Sequence, residues 1–274
     1  MTPTSNRKRN PIIVAFVAVL VIGVFGAVVV SCSSGSSGMA SPVPTDGYFK
    51  TLAPGAVLPT DAECAARVHR SAWEPRGDNT AANNTKPKQP VVLADDPAYD
   101  ATFQAKYKPR VTGNFTGTTD EIIQWGACKW GLSDNMVRAQ AVDESKWHQK
   151  TESDPVARSS GNCPPNTTND PCPTSFGILQ IKWYFHPGKS AVGSSYPMSK
   201  TMTAFSLDYT LSEERGCYDG HSFVGKKAIG DLYGCMGVWY AGDWHTTPAN
   251  AYIDRVKGDL EAKSWLNWHG STSS

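Results

Sequence analysis

One glutamate on an otherwise apolar helical stretch is the strongest chemical signal in this chain. The run from Trp130 to Trp147, WGLSDNMVRAQAVDESKW, puts Val137, Ala141 and Glu144 at i+4 and i+3 steps, on one helix face. Met136, Ala139 and Val142 widen the apolar surface. Ser133 suits the N-cap, and Asp134 suits the first turn, where its charge meets the positive end of the helix dipole. Ionised side chains avoid core faces unless they are paired. A glutamate here is therefore either exposed and inert, the commoner fate, or a carboxyl held neutral by burial. Burial raises a carboxyl's pKa toward the range a general acid needs near neutral pH. Spacing alone does not choose between the two.

Two further segments follow in order. Glu144-Ser145 is succeeded by Gly177-Ile178-Leu179-Gln180-Ile181, then by Val238-Trp239-Tyr240-Ala241-Gly242, and a Tyr-Ile-Asp-Arg-Val run (252–256) comes after. The series resembles the catalytic domain of the lysozyme-like lytic transglycosylases. Their pattern is a helix ending in Glu-Ser, a Gly-Leu-Met-Gln-Ile-like segment and an Ala-Tyr-Asn-Ala-Gly-like segment. This chain departs from it at Leu179, which replaces a methionine at similar volume, and in a long Cys163- and Cys172-bearing loop before Gly177. In the third segment, alignment on Ala241-Gly242 turns the tyrosine into Trp239 and the asparagine into Tyr240.

The resemblance implies a mainly α, lysozyme-like single catalytic domain with an irregular N-terminal extension. It also implies cleavage of the β-1,4 bond between N-acetylmuramic acid and N-acetylglucosamine in peptidoglycan. Glu144 would be acid and then base, and Ser145, Gly177, Gln180 and Tyr240 would form the substrate-binding set. Gln180 would lie in the glycan cleft, and Tyr240 or Trp239, depending on register, would face Glu144. Trp147, Trp183 and Trp244 lie near these segments, where core packing is the commoner role for any one of them. Most glycosidases use two carboxylates, but substrate-assisted families do not. The rival outcome is hydrolysis with a second carboxylate. Asp143 points about 100° away from Glu144 around the helix, and Asp154, Asp170, Asp208, Asp219 and Asp243 stay open. A second rival is a catalytically silent glycan-binding module, and a third is a secreted lysozyme that attacks other cells' walls.

Elements and compartment frame this chemistry. Arg7, Lys8 and Arg9 precede an uncharged, mostly apolar run from Pro11 to Val30, the order of an export signal. About 20 such residues also suffice to span a bilayer. Val29-Val30-Ser31-Cys32 resembles a bacterial lipobox, which favours lipidation at Cys32 over a retained helix. Either reading places the rest of the chain outside, membrane-anchored and facing the cell wall. Setting Cys32 aside, six of the seven cysteines are left, an even set that fits disulfides in an exported chain. Fifteen pairings are possible; the expectation is Cys163–Cys172, Cys217–Cys235 and Cys64–Cys128.

Residues 1–31 are thus signal or anchor, 32–110 a Ser/Gly/Pro-rich tether and irregular extension, and 111–270 the catalytic domain. In the extension, only 61–69 is a helical candidate. The domain's candidate helices are 119–130, 134–147, a short one near Gln180, 198–214, 228–240 and 247–264. Met198, Met202, Phe205 and Tyr209 keep helical periodicity, while Gly230, Gly234 and Gly237 weaken the fifth helix. The formal net charge of +1 and the lack of a glycine-rich phosphate loop give no support to nucleic-acid binding. No Cys-x-x-Cys pair and no histidine ligand spacing appear, so neither metal nor cofactor is expected. A monomer is expected.

Overall fold

The structure, a computed structural model, describes residues 46–186 and 193–268. These fall within one compact unit, Gly38–Ser274. The signal segment, Cys32 and most of the tether lie outside the described residues. Among the described residues the chain is mainly helical, and no helix is long and apolar enough to cross a membrane.

Three short helices occur in the extension: α1 (Asp61–Arg67), α2 (Thr80–Asn83) and α3 (Ala101–Lys106). The domain contributes α4 (Thr119–Trp130), α5 (Asp134–Ser145), α6 (Met198–Thr201), α7 (Thr203–Tyr218), α8 (Leu232–Ala241) and α9 (Thr247–Ala262). A small antiparallel sheet, β1 (Glu152–Ser153), β2 (Ser175–Phe176) and β3 (Ile181–Lys182), lies in chain order between α5 and α6.

Helix α4 is central, and every one of its residues is buried. Its ends are well made. Thr118 and Glu121 form a reciprocal capping box, and Gly131 closes the C-terminus in the left-handed conformation. Because α4 is covered all round, its charged residues need buried partners. Asp120 takes Arg138 Nε at 2.7 Å and Lys129 takes Asp208 at 2.8 Å. Glu121 receives Arg70 Nη1 at 3.1 Å and the Ser71 amide at 2.7 Å. Helix α4 packs on α7 and α5, and α5 packs on α9, which in turn packs on α8. Gly237 permits the last contact, since a Cβ there would stand 3.0 Å from Ile253 Cδ1 and 3.1 Å from Ala249 Cβ.

The extension is bound by buried polar groups as well as by apolar contact. Asp134 accepts the Tyr48 and Phe49 amides at 2.9 and 3.0 Å, and Arg215 donates to the Ala53 carbonyl at 2.8 Å. Asn79 donates to the Trp147 carbonyl at 2.6 Å and accepts the Gln149 amide at 2.8 Å. The disulfides are Cys64–Cys128, Cys163–Cys172 and Cys217–Cys235, and the first ties α1 to α4.

The structure corrects two helices expected from sequence. Near Gln180 there is no helix: residues 177–180 form the turn of the β2–β3 hairpin, with Gly177 and Gln180 at φ 86° and 49°. Residues 198–214 do not form one helix either. Met202 is extended, and the Ser199 carbonyl at the break accepts Gln149 Nε2 at 2.7 Å. After the break, α7 runs on to Tyr218.

Candidate active site

Glu144 sits in the last turn of α5 and is partly exposed. The turn ends abruptly, because Lys146 and Trp147 both take left-handed φ, 52° and 67°. Trp147 is fully buried, and its indole donates to the Arg138 carbonyl at 3.0 Å.

The three segments singled out from sequence meet at this helix end. Ser145 Oγ donates to the Ile178 carbonyl at 2.8 Å, stitching α5 to the hairpin turn. Trp239 Nε1 donates to the Leu179 carbonyl at 3.1 Å, stitching α8 to the same turn. Gly177 lies close under α6 and α7. A Cβ there would stand 2.3 Å from the Ser199 carbonyl oxygen and 2.7 Å from Ser206 Oγ. Its positive φ and this approach to neighbouring protein explain the glycine.

The chain matches no family model, no curated protein and no solved structure.

Tyr252 of α9 is the tyrosine that faces Glu144. Its hydroxyl, on a fully buried ring, donates to Glu144 Oε1 at 2.6 Å. Tyr240 and Trp239, expected in that place, do other things. Tyr240 stacks on Tyr252 with centroids 4.4 Å apart and is about half exposed, while Trp239 stacks on His186. Arg255 lies over both tyrosine rings and grips Asp143 through Nε and Nη2 at 2.8 and 3.0 Å.

Burial pushes the Glu144 carboxyl up to about 8. The Tyr252 hydrogen bond opposes the rise, Asp143 and Glu214 add to it, and Arg255 opposes it. A carboxyl of this kind carries its proton at neutral pH. Behind it lies a second buried acid, Glu214 of α7, hydrogen-bonded by Gln140 from the preceding turn of α5. Burial, reinforced by Glu213, pushes Glu214 up to about 8 as well.

Of the remaining sequence candidates, Asp170 and Asp243 are exposed and accept the Arg158 and Trp244 amides, at 3.1 and 2.7 Å, and those that follow are held by the scaffold. Gln180 donates to the Thr151 and Gly177 carbonyls at 3.1 and 2.7 Å and accepts Ser153 Oγ at 2.6 Å. Its amide nitrogen is therefore held by the hairpin, and Ser145 is buried with its hydroxyl taken, so neither offers a free donor to a sugar. Asp208 is committed to Lys129 and the Trp130 indole, and Asp219 to Arg215 and Tyr107. Asp154 accepts Ser175 Oγ at 2.7 Å and pairs with Lys182 at 3.0 Å, and these contacts hold it below the usual carboxylate range.

Tyr252, Gln140, Glu214 and Arg255 were not read from sequence as members of the site. One signal was available for the tyrosine. Ala249, Tyr252, Ile253 and Val256 share a helical face, and that face is the buried one.

Proposed function

We propose that this chain cleaves the β-1,4 N-acetylmuramic acid–N-acetylglucosamine bond of peptidoglycan as a lytic transglycosylase, using a lysozyme-like domain. The observation that supports this best is the Glu144 carboxyl: partly exposed, protonated at neutral pH, held at Oε1 by Tyr252, and placed where the Glu-Ser, Gly177–Ile181 and Trp239–Tyr240 segments meet.

With Oε1 held, Oε2 carries the proton in transit. Glu144 protonates the glycosidic oxygen, and the bond from that oxygen to muramyl C1 breaks. The sugar's own N-acetyl oxygen stabilises C1, as in substrate-assisted glycosidases. Glu144, now a carboxylate, takes the proton of the C6 hydroxyl as O6 bonds to C1. The product is a 1,6-anhydro ring, no water is consumed, and Glu144 regains its proton. Asp143 is poorly suited to join in because Arg255 grips both of its oxygens. Export and a lipid anchor at Cys32 complete the proposal on sequence grounds, and they would place the domain beside its substrate.

Mass spectrometry of muropeptides released from purified peptidoglycan tests the reading. Wild type should release anhydro-muramyl products, and Glu144→Gln should release them at least about 100-fold more slowly. Reducing-end products, heavier by one water, would replace the lyase by a hydrolase and require a second carboxylate. Binding of glycan without product from wild type would mark a recognition module instead.

A further inference from the structure

A second cluster of chemically capable groups stands apart from Glu144. Asp96 from the extension, His186 from the turn after β3, and Glu213 from α7 present one ligand-type atom each, all within 4.8 Å of one another. His186 Nδ1 is 2.9 Å from Glu213 Oε2 and 3.7 Å from Asp96 Oδ2. Both acids are buried, their side chains 4% and 2% exposed, whereas His186 keeps 20%. Asp96 Oδ2, both Glu213 oxygens and His186 Nδ1 all lack a partner of hydrogen-bond geometry. The Tyr99 and Tyr209 hydroxyls lie beside Glu213, and Trp239 stacks on the imidazole at 4.8 Å.

We propose that Asp96, His186 and Glu213 form a binding site for a first-row divalent metal ion of the zinc type. Ligand atoms about 2.0–2.2 Å from a common tetrahedral zinc ion stand roughly 3.3–3.6 Å from each other, a range that the two distances here, 2.9 and 3.7 Å, bracket. One imidazole nitrogen with two carboxylate oxygens suits zinc, manganese or iron, whereas the nitrogen disfavours calcium and magnesium. Charge points the same way. A divalent ion with neutral imidazole balances two ionised carboxylates, whereas an imidazolium balances one. The other histidine–carboxylate contacts, His148–Asp78, His221–Asp100 and His245–Asp231, each join one imidazole to one acid and are more exposed. The ligands lie at 96, 186 and 213, too far apart in sequence to form a motif. A bound ion would pin the extension to α7 independently of any activity at Glu144.

The test is calorimetric titration of chelator-stripped full-length protein with Zn2+, and with Co2+ while its visible d–d bands are followed. One ion per chain is expected. Asp96→Asn and Glu213→Gln should each weaken binding by at least about 100-fold, more than outer-shell changes do, and His221→Asn should leave it unchanged. A mapping on wild type needs no variant to fold: Zn2+ should shift the ring resonances of His186, but not those of His148 or His221, in the 1H–15N NMR spectrum. Absence of saturable Zn2+ uptake, or uptake that leaves the His186 resonances unmoved, overturns the site and leaves a purely ionic triad.

Discussion

At the scale of single residues, the site is a balance of proton affinities. Glu144 must be protonated to begin the proposed cycle, so activity should fall as pH rises through about 8. Tyr252 donates to Glu144, which favours the ionised form. Tyr252→Phe should therefore raise the Glu144 pKa further and move the falling limb of the kcat–pH profile up by about one unit, the size of one net hydrogen bond. An unmoved limb would mean that the tyrosine only packs. Glu214 gives a stability counterpart. Its pKa in the fold, about 8, lies above its ordinary 4.5. It favours the fold fully below pH 4.5, and that contribution is lost as pH rises through 8. Glu214→Gln should gain on wild type by an order of 2–4 kcal/mol between pH 5 and pH 9, measured by urea unfolding at both. Glu144 was legible as a candidate because an apolar helix face coincided with the ordered Glu144-Ser145, Gly177–Ile181 and Val238–Gly242 segments that carry the resemblance. Its partner was not, because Tyr252 lies 108 residues away and only the crossing of α5 and α9 brings them together.

At the scale of elements, the sharpest feature is the end of α5. Lys146 is exposed yet left-handed, a conformation costing about 1–2 kcal/mol for a residue with a side chain. Lys146→Gly should raise Tm by about 2–4 °C, the response to about 1 kcal/mol in a domain of this size. An unchanged or lower Tm, read by calorimetry, would argue against strain there. Helix α4 was legible to the residue, because its ends carry Thr118–Glu121 and Gly131. The hairpin at 175–182 was not. Its strands are two residues each, and its turn depends on Gly177 lying under α6 and α7, which local sequence does not encode.

At the scale of the whole molecule, the extension and the helical core share one set of buried charges and a covalent link. Replacing Cys64 and Cys128 together by serine opens a loop with a separation of 64 residues. By loop entropy this should cost about 4 kcal/mol, read as a lower urea midpoint. A change below about 1 kcal/mol would show that the polar clamps alone hold the extension. The even cysteine count made disulfides legible. The clamps were not, since Asp134, Arg215 and Asn79 look like surface residues until their partners are known.

Those clamps also set how the molecule carries mechanical load. A pull on the chain at residue 46 meets the Asp134 carboxylate first, through the Tyr48 and Phe49 amides, and then Arg215 through the Ala53 carbonyl. Asp134 opens the helix whose far end holds Glu144, ten residues and about 15 Å away. Peeling would proceed one hydrogen bond at a time until it reached Cys64, where the covalent bond to Cys128 arrests it. The segment before Cys64 can thus give way under strain while the disulfide keeps α1 joined to α4.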